Sequence, residues 1–572
     1  MSNRTNNCIV QSLKRLLPGV ILCCSLFALS ATVIEDVHAI DLSPSEAFLQ
    51  GERIYRDGVL PSGEPMQAVI RGDVDVPGTS FSCVSCHLRS GLGSIEGGVV
   101  TPPTNGRTLF QPYKVQYKQV KVDQKFYPAI LQRPTYTDAS LATALREGIT
   151  PSGQVMNPVM PRYYLDDKEM ALLIAYLKTL SDQPAPGVTE TEIKFATVIT
   201  DDVPSAQAEA MLAPLEEYVR HKNSMINLFK KEKRSARMAA TMVTSGELMY
   251  KKLTLSRWML KGPPETWRSQ LEEYYRQEPV FALLGGISNS DWKPIHDFSE
   301  ANHLPCLFPQ TDYPVISTTD WYTLYHSKGI YQEGEAAARF LNEKIAALQG
   351  RNVLQIVRNS RQGQALSTGF QETWRDLGFA APVTVTLGEK EVLSKEQLQK
   401  LLYANLPAAI LVWDGAESLA VLESLVTSSE RPAITIVSAS YLGDKIWSIP
   451  EQERDFTFMT YPYRLPQREE SFKRFIEPFM KKANSSAATE VISKKSYIAT
   501  QMLTQGLMDL RGNYYRDNLF DVIGMMRDQE LPLYTRLSFG PGQRYASKGC
   551  YMVQLDKGAK PALINKSDWV IH

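Results

Sequence analysis

Net charge is the first thing this 572-residue chain lacks: 62 Lys and Arg balance 62 Asp and Glu. A balanced surface excludes electrostatic capture by nucleic acid or by an anionic membrane. Histidine is scarce at seven, cysteine equally so. No Ser/His/Asp or Cys/His set stands out, so the chain reads as a carrier and not as an enzyme. A scaffold of this size does not depend on disulfides, so each cysteine calls for its own explanation. Short-period repeats and low-complexity tracts are absent. A hydrophobic fraction of 43% with ordinary Gly and Pro excludes disorder. The length suggests roughly two to four domains.

One long apolar run is present, and only one. Lys14 and Arg15 precede Leu16 to Ile34, then come Glu35, Asp36 and Val37-His38-Ala39. Basic, apolar, then polar with small residues is the layout of a secretory signal peptide, predicted over 1–39 with cleavage after Ala39. An uncleaved anchor is the alternative, since the run barely suffices to span a bilayer. Export predicts a periplasmic protein with no membrane attachment after cleavage. Cys83, Cys86, Cys306 and Cys550 are the cysteines that then remain.

The sharpest chemical signal is Cys83-Val84-Ser85-Cys86-His87. Two thiols one helical turn apart can both add to haem vinyl groups, and the adjacent His then faces the iron. A thioredoxin-like pair would need a strand before it and a helix after it, but the flanks are Gly- and Ser-rich. A zinc site would need a second ligand pair. Further on, Met156-Asn-Pro-Val-Met160-Pro161 precedes a predicted helix over 166–180, and another helix is predicted over 44–56 with Ser43 as its N-cap and Glu46 completing a capping box. Together these segments resemble the class I cytochrome c family over residues 40–182. The resemblance implies a small all-α domain with one covalent haem c. His87 and Met160 would be the axial iron ligands, Met156 the runner-up, and Pro102 or Pro103 the carbonyl that orients the His87 ring. His/Met iron closed on both sides suits electron transfer with a dehydrogenase or oxidase as redox partner.

Ser181 to Gly187 is a Pro/Gly linker signal, and the linker is drawn at 183–192. From Ile193 onward short β-branched runs alternate with amphipathic helices. Strands are predicted at 194–200, 279–286, 353–357, 383–387, 409–413 and 433–437. Helices are predicted at 205–220, 263–277, 333–347, 363–377, 395–402 and 416–427; the basic stretch 222–245 reads as a solvated excursion. The rhythm implies βαβ units and parallel sheets, in two α/β lobes spanning 193–572. Pro279 to Ser290, Leu304 to Pro309 and Gly329 to Leu341 resemble the type 1 periplasmic binding proteins, particularly the branched-chain amino-acid receptors of ABC transporters. That resemblance implies a small-molecule ligand such as an amino acid, held in a cleft by Ser288, Asn289, Ser290, Gln310 and Thr311, with Asp414 available to an ammonium group. Capping of the following helix competes for the same Ser and Asn side chains. Asp201-Asp202, standing where the family has a Gly-rich loop, argues against a ligand carboxylate at that point.

The expectation is therefore a periplasmic electron-transfer cytochrome whose second half binds a ligand or docks a partner. A solute receptor with a redox-sensing haem, or the cytochrome subunit of a dehydrogenase, are the alternatives. Cys306 and Cys550 are left either paired or as buried free thiols.

Overall fold

A computed structural model describes residues 42–71, 74–96, 99–111, 134–231, 251–344, 352–482, 486, 489–540 and 542–571. The predicted leader and much of the basic stretch lie outside these residues. Among the described residues no helix is long and apolar enough to cross a membrane.

The N-terminal unit is built on two crossing helices. Helix α1 (Pro44–Asp57) opens with the capping box expected of Ser43 and Glu46. Helix α2 (Val84–His87) is a single turn carrying the Cys-x-x-Cys-His run. Helix α3 (Asp167–Thr179) is capped by Asp166 and Glu169 and buries Leu173, Tyr176 and Leu177. The α1–α3 crossing is close because Gly51 has no side chain: a Cβ there would lie 2.3 Å from the Leu172 carbonyl oxygen and 2.7 Å from Tyr176 Cβ. The unit is not all-α as predicted. Strands β1 (Gln67–Ile70), β2 (Val74–Pro77) and β3 (Arg162–Tyr164) form an antiparallel sheet in the order β2-β1-β3. Val69, Ile70, Val74 and Val76 supply the β-branched content that favours this pairing.

The first α/β lobe is a five-stranded parallel sheet. Its strands are β4 (Glu192–Thr200), β5 (Lys252–Leu260), β6 (Ala282–Leu284), β7 (Cys306–Leu307) and β8 (Thr323–Leu324), in the order β8-β7-β6-β4-β5. The strand predicted over 279–286 is cut short because Gly285 and Gly286 take positive φ of 65° and 99°. Helix α4 (Ser205–Lys231) runs past the predicted end and takes in the start of the basic stretch. Strand β5 was not foreseen.

The second lobe begins with α5 (Tyr331–Glu343) and carries β9 (Val353–Arg358), α6 (Arg361–Asp376), β10 (Val383–Leu387), β11 (Ala409–Trp413), β12 (Ile434–Ser438) and β13 (Thr457–Tyr461). These strands are parallel in the order β10-β9-β11-β12-β13. β9, β11 and β12 are buried along their whole length, as strands covered on both faces must be. The helix predicted over 416–427 is instead three short turns, Ala416–Ser418, Leu419–Leu422 and Glu423–Leu425. The chain then returns to the first lobe through α7 (Glu490–Asp509) and α8 (Arg516–Gly524), whose Ile498, Leu503 and Leu519 join its core. It finally re-enters the second lobe as β14 (Gly549–Leu555), antiparallel to β13. Cys306 and Cys550 are both buried free thiols. They sit in different cores, Cys306 with Trp292 and Phe298, Cys550 with Ala336 and Val570.

Candidate functional site

Two places concentrate unusual chemistry. The first is the turn α2. Cys83 is buried, Cys86 is exposed, and both are free thiols. His87 is only 5% exposed. Its Nδ1 lies 2.8 Å from the Pro102 carbonyl oxygen, which selects Pro102 over Pro103 as its neighbour. The carbonyl is an acceptor, so Nδ1 carries the proton, leaving Nε2 as a lone pair. That Nε2 is buried and has no hydrogen-bond partner. Burial pushes the imidazole below its ordinary pKa, against the opposing pull of Pro102, and keeps the ring neutral. A neutral imidazole with one nitrogen oriented and the other free has the chemistry to serve as a metal ligand.

Met156 and Met160 both pack, partly buried, on the core that contains Cys83. Arg162 holds their loop by donating to the carbonyl oxygens of Met160 at 2.5 Å and Met156 at 3.2 Å. Among the described residues no group of three or more His, Cys, Asp and Glu could hold a bare metal ion.

This unit is tied to the first lobe next to His87. The backbone N–H of Ser90 donates to Asp521 at 2.8 Å and that of Arg89 at 3.2 Å. Arg56 pairs with Asp517 at 2.6 Å. The Arg89 guanidinium lies 4.1 Å from the centre of the Trp321 ring. Burial pushes Asp521 up to about 6, outweighing its hydrogen bonds from Ser90 and Arg89.

The second place is a cavity of about 430 Å³ between the lobes. The first lobe contributes Thr311, Asp312, His326, Lys495 and Tyr534, the second Tyr441, Trp447 and Tyr461. Thr311 is the one predicted contact residue that lines it, and its Oγ1 accepts from the Tyr313 N–H at 3.1 Å. Ser288, Asn289 and Ser290 are absent from its wall and gather instead around Asp202. The Asn289 side chain donates to the Asp202 carbonyl at 3.1 Å, and Ser288 Oγ accepts from the Ser290 N–H at 3.1 Å. Burial works to raise the Asp202 carboxyl, but hydrogen bonds from Ser290, Thr200 and Asn289 outweigh it and hold it below its ordinary range. Gln310 is buried and donates to Ile492 O and Ser496 Oγ, so it fastens α7.

Asp414 does not meet the cavity either. Both its oxygens take the Arg358 guanidinium at 2.7 Å, a bidentate pair nearly sealed from solvent. The predicted ammonium acceptor is therefore already spoken for by a cation 56 residues away in sequence. It lines a different cavity, within the second lobe.

Sequence reasoning passed over His326 and Lys495. His326 stands two residues past the end of β8, and a polar residue at the C-terminal end of a parallel strand was the available signal.

Residues 228–560 match the periplasmic binding protein family, and the chain belongs to that family. Its second part is thus a two-lobed α/β binding-protein fold with parallel sheets. Among solved structures it is similar to a branched-chain amino acid ABC transporter protein from Thermus thermophilus with bound valine. They are 10% identical, with 67% of this chain and 98% of that one covered, at a TM-score of 0.48. A solute-binding protein of an ABC transporter from R. palustris in complex with benzoate is 11% identical, covering 67% and 98%, with a TM-score of 0.44. A fatty acid ABC transporter substrate-binding protein from Thermomonospora curvata is 13% identical, covering 68% and 95%, with a TM-score of 0.42. No curated protein matches.

Proposed function

We propose that this is an exported c-type cytochrome that transfers electrons in the periplasm and carries a solute-binding cleft on the same chain. The observation that carries the first part is His87: one ring nitrogen anchored at 2.8 Å to Pro102, the other buried and unpartnered, one residue beyond the Cys83/Cys86 pair. A buried polar nitrogen left without a partner costs on the order of 1–3 kcal/mol, which a bound metal would offset.

The residues present fit a covalent haem. Cys83 and Cys86 would staple it, and His87 Nε2 and a Met sulfur would hold its iron. When bound, that group supplies one-electron transfer. The protein's own part is to hold it still. Pro102 sets the tautomer and ring plane of His87, Arg162 fixes the backbone carrying Met156 and Met160, and the core around Tyr55 and Tyr176 excludes water. Such a unit conducts electrons to a redox partner and is not an enzyme in its own right.

The test is to express the full chain in a host able to mature c-type cytochromes. A red protein whose pigment resists acidic acetone is expected, with a sulfur-to-iron band in the oxidised spectrum that disappears in Met160→Ala and persists in Met156→Ala. A colourless protein, or pigment extracted by the acid, would sink the reading.

A receptor role has its own support in the interlobe cavity, whose size falls within the range of about 300–1,000 Å³ usual for small-molecule pockets. Thermal-shift screening of the full chain against amino acids, sugars, alcohols and organic acids tests it. No stabilisation by any class would leave the second part as a docking surface for the redox partner.

A further inference from the structure

We propose that the interlobe cleft takes an aromatic carboxylate, with its ring among the tyrosines and its carboxylate on Lys495 and His326. The proposal rests on the reading that this cleft binds a solute, and names its chemical class.

The cleft wall is unusually rich in rings. His326 and Tyr534 stack with centroids 6.1 Å apart and planes 17° from parallel. Tyr463 continues the wall at 5.9 Å from Tyr534, and Tyr461 follows at 5.9 Å from Tyr463. Tyr441 and Trp447, also of the second lobe, line the same cavity. A planar ring ligand gains offset and edge-on contacts from such walls beyond its area of burial, which an aliphatic side chain does not.

The polar groups choose the charge. His326 is 5% exposed, lines the cavity, and has no hydrogen-bond partner for either ring nitrogen. An orphaned imidazole at the wall of a cavity is a group built to meet something that is not part of the chain. Burial, with the nearby Lys495 charge second, pushes its pKa down to about 3, so the ring is neutral and offers one N–H donor. Lys495 is half-buried on α7 and makes no ion pair among the described residues. The acids of the cleft, Asp312 and Asp444, are exposed and therefore solvated. A carboxylate thus finds an ammonium and an imidazole N–H together, a charge-assisted pair of donors. Among the described residues that line the cleft no acid is buried, so an α-ammonium group meets only solvated carboxylates there; Asp414 is held by Arg358 and lies elsewhere.

The experiment is calorimetric titration of the full chain with benzoate, its uncharged counterpart benzyl alcohol, and valine, repeated on Lys495→Gln. Benzoate is expected to bind about 10–100-fold more tightly than benzyl alcohol, the range a charge-assisted pair supplies, and more tightly than valine, which brings the carboxylate without the ring. Lys495→Gln should lower benzoate affinity by the same factor and leave benzyl alcohol unchanged. The substitution sits at a half-buried helix position, and an unaltered melting curve would show the variant folded. Equal binding of valine or benzyl alcohol, or a Lys495→Gln protein with undiminished benzoate affinity, overturns the assignment while the solute cleft stands. No heat from any of the three overturns it too. The solute cleft itself then depends on the broader thermal-shift screen, and the haem on its spectrum, so the three failures are separable.

Discussion

Glu453 offers a direct check on how burial controls stability in the second lobe. It lies in the turn Glu451–Glu453 and is fully buried, and neither carboxylate oxygen has a hydrogen-bond partner. Burial, aided by the Glu423 charge, pushes its pKa from 4.5 up to about 7. The sign follows from which state holds the proton. Between these two values the folded chain is protonated at this site and the unfolded chain is not, so stability falls as pH rises through the window. The full shift corresponds to about 3 kcal/mol of lost stability above pH 7. Glu453→Gln removes the titrating group and keeps its volume. Its stability relative to the native sequence should therefore improve steadily with pH, by about 2.5 kcal/mol between pH 5 and pH 8. Global unfolding of a chain with several cores is not two-state. The assay is accordingly hydrogen exchange of the buried strands Val353–Arg358 and Ala409–Trp413, whose slowest amides report the opening of this lobe. Parallel pH profiles for the two proteins would refute the reasoning, since they would mean that Glu453 has access to water or to a cation.

Gly51→Ala should destabilise the N-terminal unit by about 1–3 kcal/mol, because the new methyl meets backbone at 2.3 Å and the helices must part; its thermal unfolding reports this. Asp414→Ala leaves the Arg358 guanidinium buried without its counter-ion and should cost about 3–5 kcal/mol, read as faster exchange in the second lobe. Asp517→Ala removes the partner of Arg56 and the acceptor of the Tyr322 hydroxyl, and should speed cleavage by an acid-specific protease between Asp182 and the exposed Gln183 about 10-fold, on the scale of one charged hydrogen bond. An unchanged cleavage rate would show that the two parts are held by other contacts.

How much was readable in advance follows the range of the interactions involved. The capping box at Ser43, the Cys83 to His87 turn and the β-branched runs of β9 to β12 are local, so a few consecutive residues carry them. The helix over 416–427 was misread because its apolar spacing fits a helix, whereas its start is drawn to Asp414, which accepts from the Ser418 hydroxyl and the Gly415 N–H. The Ser288 to Ser290 loop was misplaced for a similar reason. A glycine turn followed by hydroxyls looks alike whether it faces a ligand or an acid of the same lobe, and here Asp202, some 87 residues earlier, claims it.

What the sequence determined alone was chemistry at fixed spacing: two thiols and an imidazole on one helical turn, and alternation that demands parallel sheets. Tertiary structure alone decided the partners. It put Pro102 behind His87, gave Asp414 to Arg358, kept Cys306 and Cys550 in separate cores, and brought His326 and Lys495, 169 residues apart in sequence, to one cavity. The physical reason is that hydrogen bonds and ion pairs form with whatever is nearest in space, and the identity of that neighbour is set only when the sheets and helices have packed.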